Sequence, residues 1–199
     1  MKLFLATALL LPSAALVDKV VNAYGGAAAW NKVTEIVERG RVVPAMRKGD
    51  GAMTRTWRGT GSLRVEIAYP ENKSEVRVLE NGKGTNNGRE SNAMELDAMR
   101  LQAARLALPK LLADKHTIVH LTAPNVLELA LDGGLTIEAE VDPATGHIVR
   151  STGHSGQMSF TTAYSDFRSV SGLLIAFHEE NSAMGMKTAD NFLDKVDVK

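Results

Sequence analysis

The 199-residue sequence predicts a mainly β protein: a large antiparallel sheet that must curl, with few helices to cover it. Three observations carry this. The stretch "SLRVEIAYPENKSEVRVLENGKG" (62–84) alternates apolar and polar residues and is broken by Pro70-Glu71-Asn72-Lys73, which reads as a hairpin with one dry and one wet face. "LTIEAEVDPATGHIVRSTG" repeats the pattern, with Leu135, Ile137, Ala139 and Val141 on one face, Thr136, Glu138, Glu140 and Asp142 on the other, and a turn at Asp142–Gly146. Eleven or twelve such runs stand against only two helical segments of any length, and a sheet that wide does not stay flat.

In chain order, "MKLFLATALLLPSAA" reads as a cleavable secretory leader. It has Lys2 as its positive start, an apolar run from Leu3 to Leu11 too short to span a bilayer (about 20 residues), and small residues at Ser13 and Ala15. The mature chain, 16–199, reads as a single domain. A helix follows over 16–24, then Gly25-Gly26 and a short helical piece, 27–32, holding Trp30. Strands are expected near 34–47, 51–59, 62–70, 74–80 and 83–88. "SNAMELDAMRLQAARLALPKLL" interrupts them as a helix over 92–108, opened by Asn92 with Glu95 at capping-box spacing. Met94, Ala98, Leu101 and Leu108 form one stripe and Leu96, Met99, Ala103 and Leu106 a second, a wider apolar arc than a surface helix needs; Pro109 is expected to end or kink it. Seven more strands are expected near 116–122, 125–132, 134–142, 146–153, 157–168, 171–182 and 186–197. The sheet either closes into a barrel or stays a half-barrel under a lid, for which helix 92–108 is the candidate.

Composition excludes several chemistries. Without cysteine there is no disulfide, thiolate metal site or cysteine nucleophile. The net charge is zero, so no bulk attraction to nucleic acid is expected, although residues 16–113 carry +5 and residues 114–199 carry −6. His116 and His120 sit four apart in a strand, about 13 Å, too far to share a metal. "GHSGQ" at 153–157 lacks the last glycine of a nucleophile elbow, and "GKGTNNG" at 82–88 has the wrong spacing for a dinucleotide loop. Glu95 and Asp97 point apart on their helix. No catalytic residue, metal site or cofactor is therefore expected, and the chain reads as a non-enzyme. Arginines stand out instead. Arg39 and Arg41 share parity with Val37 and Val43, unless Gly40 marks a bulge, and Arg55 shares parity with Met53 and Trp57. An arginine among inward residues must be paired, or must hold an anionic group.

"VDKVVNAYGGAAAWNKVTEIVERGRV", "LRVEIAYPENKSEVRVLENGKG", "VDPATGHIVR" and "YSDFRSVSGLLIAFHEENSAMGMKTADNFLDKVDV" together resemble periplasmic outer-membrane lipoprotein-sorting proteins of the LolA type. Two departures from that pattern are Gly84-Thr85, where an aromatic often follows the turn, and Gly172-Leu173, where a proline commonly comes soon after. The resemblance implies an eleven-stranded half-barrel with a helical lid and an apolar cavity for acyl chains. It implies a periplasmic location, a lipid or acylated lipoprotein as ligand, and membrane-associated donor or acceptor proteins as partners. Within that frame, Leu63, Val65, Ile67, Leu135, Ile137, Val141, Met158 and Phe160 are the expected cavity wall, Met94 and Leu101 the lid contacts, and Arg39, Arg41 and Arg55 candidate head-group contacts; the other reading of these arginines is that their face is the wet one, with the arginines exposed and Trp57 a surface aromatic. The alternative is an interaction or sensor module with a filled core and a basic rim. An empty apolar volume under helix 92–108 separates the two.

Overall fold

The computed structural model describes residues 13–59 and 61–199. Most of the predicted leader lies outside the described residues; Ser13 to Ala15 form the first turn of helix α1 (Ser13–Ala23), whose Leu16, Val20 and Val21 are buried. Gly25 and Gly26 end it at φ 104° and 88°. A side chain at Gly25 would overlap the Gly172 carbonyl, so the close approach requires glycine as much as the dihedral does. Helix α2 (Ala27–Trp30) then buries Trp30, whose indole donates to the Tyr24 carbonyl at 2.9 Å.

Among the described residues, thirteen antiparallel strands form one sheet. They are β1 (Glu35–Pro44), β2 (Gly51–Arg58), β3 (Ser62–Ala68), β4 (Ser74–Glu80), β5 (Lys83–Asn86), β6 (Arg89–Glu90), β7 (Val119–Ala123), β8 (Val126–Ala130), β9 (Thr136–Val141), β10 (Ile148–Ser155), β11 (Met158–Val170), β12 (Leu173–Ala183) and β13 (Met186–Val198). The spatial order is β6-β5-β4-β3-β2-β1-β13-β12-β11-β10-β9-β8-β7. Each half of the chain is thus a meander, and the first and last strands pair at the centre. The two ends of the order, β6 and β7, do not pair, so the sheet is open, a half-barrel. The count exceeds the twelve runs read from the sequence by one, because the run at 83–88 breaks at Asn87-Gly88 (φ 49° and 78°) and returns as β6. Asn81-Gly82, Ser171-Gly172 and Met184-Gly185 make the same doubly positive φ pair, the turn whose twist matches that of the strands it joins.

Helices α3 (Ala93–Leu106) and α4 (Leu108–Ala113) cover the concave face. Asn92 accepts from the Glu95 amide at 2.9 Å and Glu95 accepts from the Asn92 amide at 3.0 Å, completing the capping box. Asn92→Ala is expected to cost about 1 kcal/mol of folding stability in urea titration; an unchanged midpoint would show that packing alone holds the helix start. Pro109 does not stop the helical path. The break falls at Ala107, and Pro109 sits in the first turn of α4, where its missing amide costs nothing. The helices approach where strands lack side chains: Leu101 fills the space a Cβ on Gly153 would take, and Met99 does the same at Gly84.

One lid residue departs from expectation. Met94 is 51% exposed, because the first turn of α3 leaves it facing solvent while Met99, Leu101, Ala103 and then Leu108 take the buried side. Leu63, Val65 and Ile67 are buried opposite Trp57, Arg55 and Met53 of β2, as alternation requires.

Candidate functional site: a cleft under the helices

The concave face carries three features in sequence from one end to the other. The first is an open cleft of about 970 Å³ between α3–α4 and the strand ends. Buried Trp57, Leu79 and Leu135 contribute its floor, and Ala103, Ala104 and Ala107 with Leu111 its helical wall. Two alanines on α3 and a third at the break between α3 and α4 leave a groove where larger residues would close it. The rim is polar, with Glu80, Arg100, Lys115, His116 and Asp132. Lys110 is already committed to the carbonyls of Trp30 and Val33, at 3.0 and 2.9 Å. The Trp57 indole nitrogen is sealed from bulk solvent and has no hydrogen-bond acceptor among the described residues. An orphaned donor of this kind is uncommon and marks a place where an acceptor belongs.

The second feature is a charged cluster at the sheet centre. Arg55, 3% exposed, donates through Nε to Glu38 at 2.5 Å and through both Nη atoms to Glu179 at 2.7 and 3.0 Å. Asn191 donates to Glu179 at 2.8 Å. Burial pushes the Glu38 carboxyl up, and the neighbouring Glu179 charge adds to the effect against the pull of Arg55. Burial also acts to raise Glu179, but the Arg55 charge and the hydrogen bonds from Arg55 and Asn191 hold it below the ordinary range. Beside the cluster, Tyr164 shares a 2.6 Å hydrogen bond with Ser151, and burial raises its hydroxyl.

The third feature is a smaller cavity of about 320 Å³ at the other end of the face. Met53, Ile67 and Phe160 border it together with Arg77, Gln102 and Arg105.

Each of the candidate head-group arginines is paired with a carboxylate. Arg39 and Arg41 lie on the outer face, where Arg39 pairs with Asp197 at 2.6 Å and Arg41 pairs with Asp50 at 3.2 Å and stacks over Phe192. Gly40 does sit at a bulge, but the extra residue is Asp194 on β13, so the parity of β1 is unchanged. Arg55 does face inward, but its guanidinium is spent on Glu38 and Glu179. Of the expected wall, Leu63, Val65, Ile67, Ile137, Val141 and Leu101 are packed in the core, and Leu135 alone reaches the large cleft. Phe160 is half-buried at the small cavity, and Met158 is half-buried at the start of β11.

No protein-family model matches the chain, and no curated protein matches it in sequence. Solved structures do. A LolA superfamily protein from Nitrosomonas europaea is similar at a TM-score of 0.58 and 11% identity, over 95% of this chain and 94% of that one. A DUF1329 family protein from Desulfovibrio piger is similar at a TM-score of 0.55 and 10% identity, over 94% of this chain and 93% of that one. The fold is LolA-like. The likeness spans both meanders as well as the helices, so the cleft belongs to the body of a LolA-like half-barrel and not to an appended element. Trp57, Leu79, Leu111 and the alanines at 103, 104 and 107 line the cleft and are not among the site residues expected from the sequence. The readable signal was the alanine spacing in "QAARLA", which the width of the apolar arc obscured.

Proposed function

We propose that the protein is an exported carrier or sensor that binds the acyl chain of a lipid or lipoprotein in the large cleft. The supporting observation is the open volume itself: about 970 Å³ with an apolar floor, under a pair of helices, on a LolA-like half-barrel. That is the size of a dedicated ligand site. The unpartnered Trp57 indole N–H adds a chemical requirement, since an ester or amide carbonyl at the head of an acyl chain would satisfy it. In this reading the leader at 1–15 is removed on export to a periplasm, and membrane-associated proteins load and unload the carrier. Burying about ten methylenes at about 0.8 kcal/mol each gives roughly 8 kcal/mol before the cost of immobilising the ligand, which leaves affinity in the micromolar range.

The test is titration with a fluorescent long-chain fatty-acid amide. Wild type should bind at micromolar concentration. Ala104→Phe, which fills the helical wall, should weaken binding about tenfold or more while leaving the melting temperature nearly unchanged. Absence of binding below about 100 μM, or indifference to Ala104→Phe, would sink the carrier reading in favour of the interaction module.

A further inference from the structure

The small cavity at the far end of the concave face has a composition that acyl-chain binding does not explain. Arg105, in the last turn of α3, is half-buried there. Its Nη1 donates to the Phe160 carbonyl at 3.3 Å, and no carboxylate lies within 4 Å of it among the described residues. The buried acid on that side, Glu179, already accepts from Arg55 twice and from Asn191. A guanidinium carries five N–H donors in a planar fork, so most of those on Arg105 lack a protein acceptor. Arg77 of β4 borders the same cavity. Its Nη1 donates to Gln102 at 3.2 Å, and its buried Nε lies 2.9 Å from the carboxylate of Glu75, which also lines the cavity, as an ion pair without hydrogen-bond alignment. Glu75 neutralises Arg77, so the charge left without a carboxylate partner at this cavity, among the described residues, is that of Arg105, with Arg77 beside it offering a further N–H. Burial acts against the charge on Arg105, Tyr164 and Glu179 support it, and the like charges of Arg55 and Arg77 oppose it; the net effect is downward.

We propose that this cavity binds an oxyanion, a carboxylate or a phosphate, between Arg105 and Arg77. The surface at its mouth bears on the source of that group. Pro44, Ala183 and Thr188 line the opening, and the adjoining turns carry Met46, Met184 and Met186, all exposed. The Ala45 amide bonds to the Thr188 carbonyl, which brings the 45–50 loop and the Met184-Gly185 turn to the same edge. Arg47 and Lys48 occupy that loop. Flexible, polarisable methionines beside basic residues suit the glycerol and upper chain of an amphiphile whose head enters the cavity.

Calorimetric titration with inorganic phosphate, oleoyl-lysophosphatidate and uncharged monooleoylglycerol tests the site. Lysophosphatidate should bind more tightly than phosphate, and Arg105→Gln should weaken both by about 10- to 100-fold, the loss expected for one charge-assisted hydrogen-bonded pair. Arg105→Lys should recover part of this, because it keeps the charge and loses the fork. Monooleoylglycerol should not respond to Arg105→Gln. Phosphate bound as tightly as lysophosphatidate would identify the free anion as the ligand and uphold the site. If Arg105→Gln and Arg77→Gln, shown to be folded by thermal melting, leave both phosphate-bearing ligands unaffected, the proposal is overturned. The carrier reading fails separately, through Ala104→Phe, which touches only the large cleft.

Discussion

Arg55→Met is expected to destabilise the protein by about 3–5 kcal/mol at neutral pH, because it leaves two carboxylates buried without their shared counter-charge. Glu38 reaches Arg55 from β1, Glu179 from β12, and Asn191 of β13 supports Glu179, so the cluster ties together the four strands where the two meanders join. Removing the cation raises both acids above the unfolded value of about 4.3. A group raised on folding contributes stability below its unfolded pKa and loses it as pH rises through the folded value. The variant should therefore recover on acidification, with a smaller deficit against wild type at about pH 5 than at about pH 8 in urea unfolding. In the wild type the two acids differ in sign. Glu179, held low, contributes stability that is lost as pH falls through its folded value, whereas Glu38, held high, gives up stability as pH rises through its own. Glu38→Gln should thus be tolerated, or favoured, at neutral pH, while Glu179→Gln is costly. Replacing all three by apolar residues should restore most of the loss suffered by Arg55→Met. A pH-independent deficit of under about 1 kcal/mol in Arg55→Met would show that water reaches the cluster.

Gly40→Ala is expected to cost about 3 kcal/mol or more, an unusually large effect for adding one methyl to a strand. At the β1–β13 bulge the partner backbone occupies the space a side chain would need: the new Cβ would overlap the Phe192 carbonyl and lie 2.8 Å from Leu193 Cα. Neither is the end of a flexible side chain, so a strand must move. The bulge lets Leu193 and Val196, three apart, both turn inward, and a shift there disturbs both. Urea and thermal unfolding measure the cost; a melting temperature within a degree or two of wild type would mean that the bulge can migrate.

Much of the fold was legible because several strands alternate cleanly between apolar and polar residues. In β3 and β9 a residue's parity is enough to state its side, and Asn92 with Glu95 announces the start of α3 without help from the rest of the chain. The site was less legible for a physical reason. What makes the cleft is missing volume, and alanines on a helix look alike in sequence whether they face a groove or a tightly packed strand. Met94 has helical spacing in common with Leu101, but no sequence pattern says that its turn faces solvent. Arg55 could be read as inward from Met53 and Trp57, whereas Glu179, its bidentate partner, lies 124 positions away and leaves no local trace. Arg105 is one polar residue among several on its helix, and nothing nearby in sequence shows that it lacks a carboxylate.

The pairing of β1 with β13 has a consequence for how the molecule comes into being. Ile36 faces Val198, so the contact at the heart of the sheet joins residues from near the start and the end of the described chain. Loop closure over that distance comes late and slowly, after each meander has been able to zip locally. A ribosome therefore holds two half-sheets with raw edges until β13 emerges, and the growing chain stays unfastened along its middle until then. Losing β13 would not trim a border; it would split the protein down the centre.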